Sequence, residues 1–205
     1  MATGNRFFPE LSRVFRMVLA LSLFIFLLGV ALGYGVWQES PEEAESMLGV
    51  FIEAFQELAD RMEGTNWFVQ AWLIFFNNLR VVTFMFILGG ILPFFPLMII
   101  GGNGAAIGMM AGFFEYQQFL TREAFFISLL PHGVFELTAI LFAATMGVIW
   151  GSRNWLGWLR LRFSPGFLQN MKHFMPFVPL VLFLLVLAAV IEILVSPVLL
   201  SGLSL

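Results

Sequence analysis

The stretch AFFISLLPHGVFELTAILFAATMGVIW, Ala124–Trp150, holds one histidine and one glutamate among residues that are otherwise uncharged and mostly apolar. A helix rises about 1.5 Å per residue, so about 20 residues cross the hydrocarbon core of a bilayer. This stretch is long enough to do so, and lipid is the environment that suits it. His132 and Glu136 stand one helical turn apart within it and so share a face. Ionisable side chains at membrane depth are costly, and they mark either a functional site or a polar lock on helix register.

The rest of the chain reads the same way. It has 205 residues, 60% hydrophobic and 11% charged, where soluble domains carry about 45–50% apolar and about 25% charged residues. There is no cysteine, which excludes disulfides and thiol chemistry. No basic stripe or nucleic-acid motif is present, so nucleic acid is not an expected partner. Four further spans fit Met17–Trp37, Trp67–Leu92, Pro96–Phe114 and Phe177–Leu200. The second is interrupted by NNLR and the third by GGNG. The expected fold is all-α: a polytopic membrane bundle of about five transmembrane helices, forming a single domain over 1–205, with the lipid bilayer as its first partner.

Charge gives the chain a direction. Arg6, Arg13 and Arg16 precede the first span, and segment 151–176 carries Arg153, Arg160, Arg162 and Lys172 with no acid. Segment 38–66 carries Glu39, Glu42, Glu43, Glu45, Glu53, Glu57, Asp60 and Glu63 against Arg61. The positive-inside rule places the N-terminus and the basic connection 151–176 in the cytoplasm, and the acidic segment and the C-terminus outside. The first span is longer than a signal-peptide core and reads as a retained anchor of a multi-pass cell-membrane protein.

Within the acidic segment, 40–64 predicts an outer amphipathic helix. Ser40 suits the N-cap, Pro41 the first helical position and Glu43 a capping box, while Gly64 suits the stop. Met47, Leu48, Phe51, Phe55, Leu58, Ala59 and Met62 recur at steps of three and four. That apolar face either packs internally or docks a partner outside the membrane.

Depth relates the polar residues of different spans. Counted from the outer end of straight helices, His132 and Glu192 lie about 12 Å in, Asn103 about 16 Å, Glu136 about 18 Å and Arg80 about 20 Å, with Asn77 and Asn78 slightly shallower than Arg80. Because buried charges pair, the expected contacts are Arg80 with Glu136 and His132 with Glu192. The expected buried polar cluster is Asn77, Asn78, Arg80, Asn103, His132, Glu136 and Glu192. Pro131 removes an amide donor and opens the turn before it. Gly101, Gly102 and Gly104 weaken the third span at mid-depth. Gly104, Gly108 and Gly112 form a small-residue strip, as do Gly29 with Gly33 and Gly147 with Gly151, each suited to close helix approach within the chain or in a homodimer. A zinc site takes three or more protein ligands. Here it would need His132, Glu136 and Glu192 together, and the only other histidine, His173, lies in the basic connection. The reading therefore assigns no metal, no cofactor and no catalytic residue.

Four stretches taken in order, FFNNLRVV (Phe75–Val82), GGNGAAIG (Gly101–Gly108), PHGVFELTAI (Pro131–Ile140) and AAVIEILVSP (Ala188–Pro197), resemble the stage II sporulation protein M family. The resemblance runs from about Trp67 to Pro197. It implies a helical membrane protein of about five spans, and the family's shared residues map to Asn78, Asn103, Gly104, Pro131, His132, Gly133, Glu136 and Glu192. Thr138 stands where the family often has proline. In endospore formers the family member is a membrane scaffold that works with cell-wall hydrolases during engulfment. The resemblance implies a non-enzymatic scaffold recruiting envelope or cell-wall proteins. From the residues themselves, a proton- or ion-coupled transporter or channel, and an intramembrane metal-dependent hydrolase, are the alternatives.

Overall fold

The computed structural model describes residues 7–160 and 166–195. Seven α-helices follow in order: α1 (Phe7–Glu39), α2 (Pro41–Met62), α3 (Trp67–Ile91), α4 (Phe95–Tyr116), α5 (Arg122–Trp158), α6 (Phe167–Lys172) and, after a 3₁₀ turn at Met175–Phe177, α7 (Val178–Leu194). The described residues contain no strand. Five stretches, Arg13–Glu39, Trp67–Ile91, Phe95–Tyr116, Arg122–Trp158 and Phe167–Leu194, are long and apolar enough to cross a membrane. The chain is an all-α polytopic membrane bundle. Arg6, Arg162, Pro197 and Leu200 lie outside the described residues, as do the side chains of Phe51, Phe55 and Ala59.

Local chemistry sets the helix ends. The Asn66 side chain accepts a hydrogen bond from the Val69 amide at 3.0 Å and caps α3. Thr121 does the same for α5 from the Ala124 amide at 3.2 Å. Each satisfies a donor that the first turn leaves open, typically worth about 1 kcal/mol. Glu42 and Glu43 sit in the first turn of α2, where they complement the helix dipole. Gly64, at φ +69°, ends the chain's run beyond Met62 in the left-handed region that glycine tolerates.

Helices α3, α4 and α5 each run without a break. The interruptions expected at NNLR and GGNG are therefore absent, and Pro131 is accommodated inside α5. Every residue of GGNG keeps its own amide, and helix geometry needs nothing more. Proline lacks an amide, but a long helix packed on several neighbours continues around it.

Helix α5 is the hub, packing on α1, α3, α4, α6 and α7, while the most extensive pairing is α1 with α4. The glycine strips explain both. A Cβ on Gly29 or Gly33 would run into the backbone of Gly101 or Ala105, and one on Gly104 or Gly108 into the Phe26 or Val30 carbonyl. The register rises together along both helices, so α1 and α4 are parallel and touch backbone to backbone. Gly147 and Gly151 meet the Met85 and Gly89 carbonyls in the same order, so α3 and α5 are parallel as well. Two parallel pairs, one running up and one down, are what alternating membrane spans require. All three strips are thus used inside the chain.

At one end of the bundle, Ala44 and Leu48 of α2 are fully buried with Trp37 and Met109. The Tyr34 hydroxyl there donates to Glu115 at 2.6 Å, and the Arg122 guanidinium stands 5.7 Å from the Tyr34 ring centre. The opposite end holds the close of α3, the close of α5 and α6. Segment 151–176 is therefore only partly a connection, because α5 continues through it to Trp158.

Candidate functional site

The site grows from the hub. His132 and Glu136 stand at positions i and i+4 of α5, so their side chains leave the same face one turn apart. Helix α7 returns along α5, and Glu192, near its last turn, arrives at that face. One ligand atom each of His132, Glu136 and Glu192 lies within 4.8 Å of the other two. His132 is 8% exposed, and both glutamates are partly buried. Two carboxylates and an imidazole from separate spans thus share one small volume. The expected meeting of His132 with Glu192 is present, and Glu136 joins it.

Arg80 does not join. It is exposed on the outer flank of α3, in a shallow recess with Phe76, Leu79, Thr83, Phe84, Ile87 and Leu88. The expected ion pair with Glu136 is absent, and among the described residues no carboxylate lies within ion-pair reach of Arg80. The reason is angular. The buried face of α3 runs through Ala71, Ile74, Asn78, Val82, Met85 and Gly89. Arg80 lies two residues beyond Asn78, about 200° around a helix of about 3.6 residues per turn. Asn78 is buried, while Asn77 is exposed with Arg80. Asn103 is partly buried on α4. Pro96 packs on Gly89 and Gly147, so Asn103, seven residues beyond Pro96, reaches a level about 6 Å from that of Glu136, eleven residues before Gly147.

The glycines divide by role. Gly104, Gly108 and Gly112 face α1, the last against the Trp37 ring, and Gly101 packs beside Ile25. Among the described residues, nothing lies within 4 Å of a Cβ placed on Gly102, and one on Gly133 would meet only Leu129, one turn earlier, at an ordinary 3.5 Å.

A second polar group, unforeseen from sequence, closes the opposite end. The buried Asn170 amide donates to Asn154 Oδ1 at 2.9 Å, and Asn154 Nδ2 donates to the Gly90 carbonyl at 2.8 Å. Trp150 donates to the Phe167 carbonyl at 3.0 Å and Trp155 to that of Ile91 at 2.6 Å. The Asn154 and Trp155 bonds satisfy the Gly90 and Ile91 carbonyls at the close of α3, which have no partner within the helix. The available signal was two asparagines in a segment otherwise read as a basic loop.

Fold and site together define a polytopic α-helical membrane protein with a histidine and two glutamates converging between its last two spans. The family model of Stage II sporulation protein M matches residues 22–197, and the chain belongs to that family. No curated protein and no solved structure matches the chain.

Proposed function

We propose that the protein is a non-enzymatic scaffold of the cell membrane that assembles other envelope or cell-wall proteins around it. Its N-terminus and the basic segment around Arg153, Arg160 and Lys172 lie in the cytoplasm, and α2 and the C-terminus lie outside, in keeping with the positive-inside rule. The observation that carries the reading is Arg80. An arginine in the middle of a span normally faces the bundle interior and pairs, but this one faces out beside the exposed Asn77 and Phe84. A partner helix bringing a carboxylate to that flank would neutralise it. Helix α2 offers a second surface. It is anchored by Ala44 and Leu48, and it exposes Glu42, Glu43, Glu45, Glu53, Glu57 and Asp60 on its free side.

The transport alternative rests on a broken third span, the Pro131 break and the buried carboxylates, features of the kind that build substrate sites in carriers. With α4 and α5 continuous, only the buried carboxylates still favour it. The homodimer drew on spare small-residue strips, and those are occupied within the chain.

The test is affinity isolation in mild detergent, paired with a photo-crosslinking residue at Phe84. A stoichiometric membrane partner that crosslinks at Phe84 and is lost with Arg80→Leu is expected. Recovery of no partner across several detergents, or equal recovery with Arg80→Leu, contradicts the reading.

A further inference from the structure

His132, Glu136 and Glu192 bring two carboxylates and an imidazole from two helices into one small volume. Among the described residues, no lysine or arginine forms an ion pair with either glutamate. Two ionised carboxylates about 4 Å apart repel by about 4 kcal/mol even at an effective dielectric near 20. A divalent cation removes that repulsion, since two carboxylates and a neutral imidazole sum with it to zero net charge. We propose that these three residues form an intramembrane site for a divalent transition-metal ion that joins α5 to α7.

The donor set selects the metal. Magnesium and calcium take oxygen ligands, and an imidazole nitrogen disfavours them. Copper(I) prefers thiolates and thioethers. One nitrogen and two carboxylate oxygens suit zinc, manganese(II) or iron(II). Metal–ligand bonds of about 2.0–2.2 Å place ligand atoms roughly 3–4 Å apart, so donors already within 4.8 Å need only small side-chain movements to close. Three protein ligands leave a coordination position for water. Two of the three come from one face of one helix and the third from another helix, so the ion would fasten the closing helix to the hub. This inference is independent of any partner at Arg80.

The test uses the full-length, untagged protein in detergent, stripped with a chelator and then equilibrated separately with zinc and with cobalt(II). After gel filtration, elemental analysis is expected to find about one zinc per chain, as a single three-ligand site implies. Glu136→Gln and Glu192→Gln are each expected to weaken binding by about tenfold or more, while Glu115→Gln, remote from the site, leaves it unchanged. X-ray absorption of the cobalt-loaded wild type is expected to show one imidazole with oxygen ligands, and this readout does not depend on any variant folding. Negligible metal at saturating zinc, full retention in both glutamine variants, or a cobalt shell without imidazole each overturns the proposal.

Discussion

The α1–α4 seam and the α5–α7 junction are both contacts between membrane spans, yet they are built on opposite principles. Along its middle the seam is backbone, with side chains such as Trp37 and Phe113 packing at one end. Gly29, Gly33, Gly104 and Gly108 bring backbone against backbone, and the gain is dispersion contact over a long parallel run. The junction puts a histidine and two glutamates into the bundle, where each is expensive. A chain that can hold two helices together with glycine has no need of carboxylates to do it. The seam therefore reads as architecture, and the junction reads as something the fold maintains at a cost.

Substitutions break or sharpen this contrast. The largest effect is expected in the seam. Gly108→Val sets a branched side chain against the Val30 carbonyl, and rigid backbone cannot yield as a side chain would. A loss of about 3 kcal/mol or more is expected, visible as loss of monodisperse protein or a steep fall in melting temperature. Preserved stability would mean that α1 and α4 are not in backbone contact. Next comes the polar group at the opposite end. Asn154→Ala removes the donor to the buried Gly90 carbonyl and the acceptor of the Asn170–Asn154 bond, at an expected cost of about 1–3 kcal/mol, that of an unmade buried hydrogen bond. Thermal unfolding in detergent measures it, and no change would remove that network from the account.

Gly102 tests the seam from the other side. It lies within the same GGNG motif, but among the described residues nothing lies within 4 Å of a Cβ placed on it. Gly102→Ala is expected to stabilise by about 0.4–1 kcal/mol through lower backbone freedom in the unfolded chain. Destabilisation would show that the motif serves more than the α1 contact. Smallest of all in cost, Arg80→Gln is expected not to destabilise the isolated bundle, since among the described residues Arg80 forms no ion pair that the change would break. A large loss would return Arg80 to the interior.

The two regions were not equally legible in the sequence. Span number followed from length and hydropathy, and α2 from its capping residues, because these are local properties. Convergence of His132 with Glu192 followed from depth, since a shared membrane fixes the height of each residue. Depth says nothing about direction around a helix. Arg80 and Glu136 count to similar depths from the ends of their spans, but the face through Ile74, Asn78, Val82 and Met85 turns Arg80 outward. That face has helical spacing, so angle around the helix separates Arg80 from Asn78 where depth does not. The glycines misled differently. Gly101–Gly104 reads as a helix breaker by propensity, and only the partner α1 reveals that Gly101 and Gly104 are points of contact. Asn154 and Asn170 were hidden for a similar reason, because α5 extends past Trp150 and carries Asn154 into a contact that a loop would not make.

The central claim is that α7 brings Glu192 to His132 and Glu136 on α5. Because the chain has no cysteine of its own, introduced thiols report that contact without interference. In the membrane-embedded Glu136→Cys/Glu192→Cys variant, a short bifunctional thiol reagent is expected to join the two positions within one chain, and the outward-facing pair Leu130→Cys/Glu192→Cys is expected to remain unlinked. Linkage of the second pair instead of the first would contradict the account.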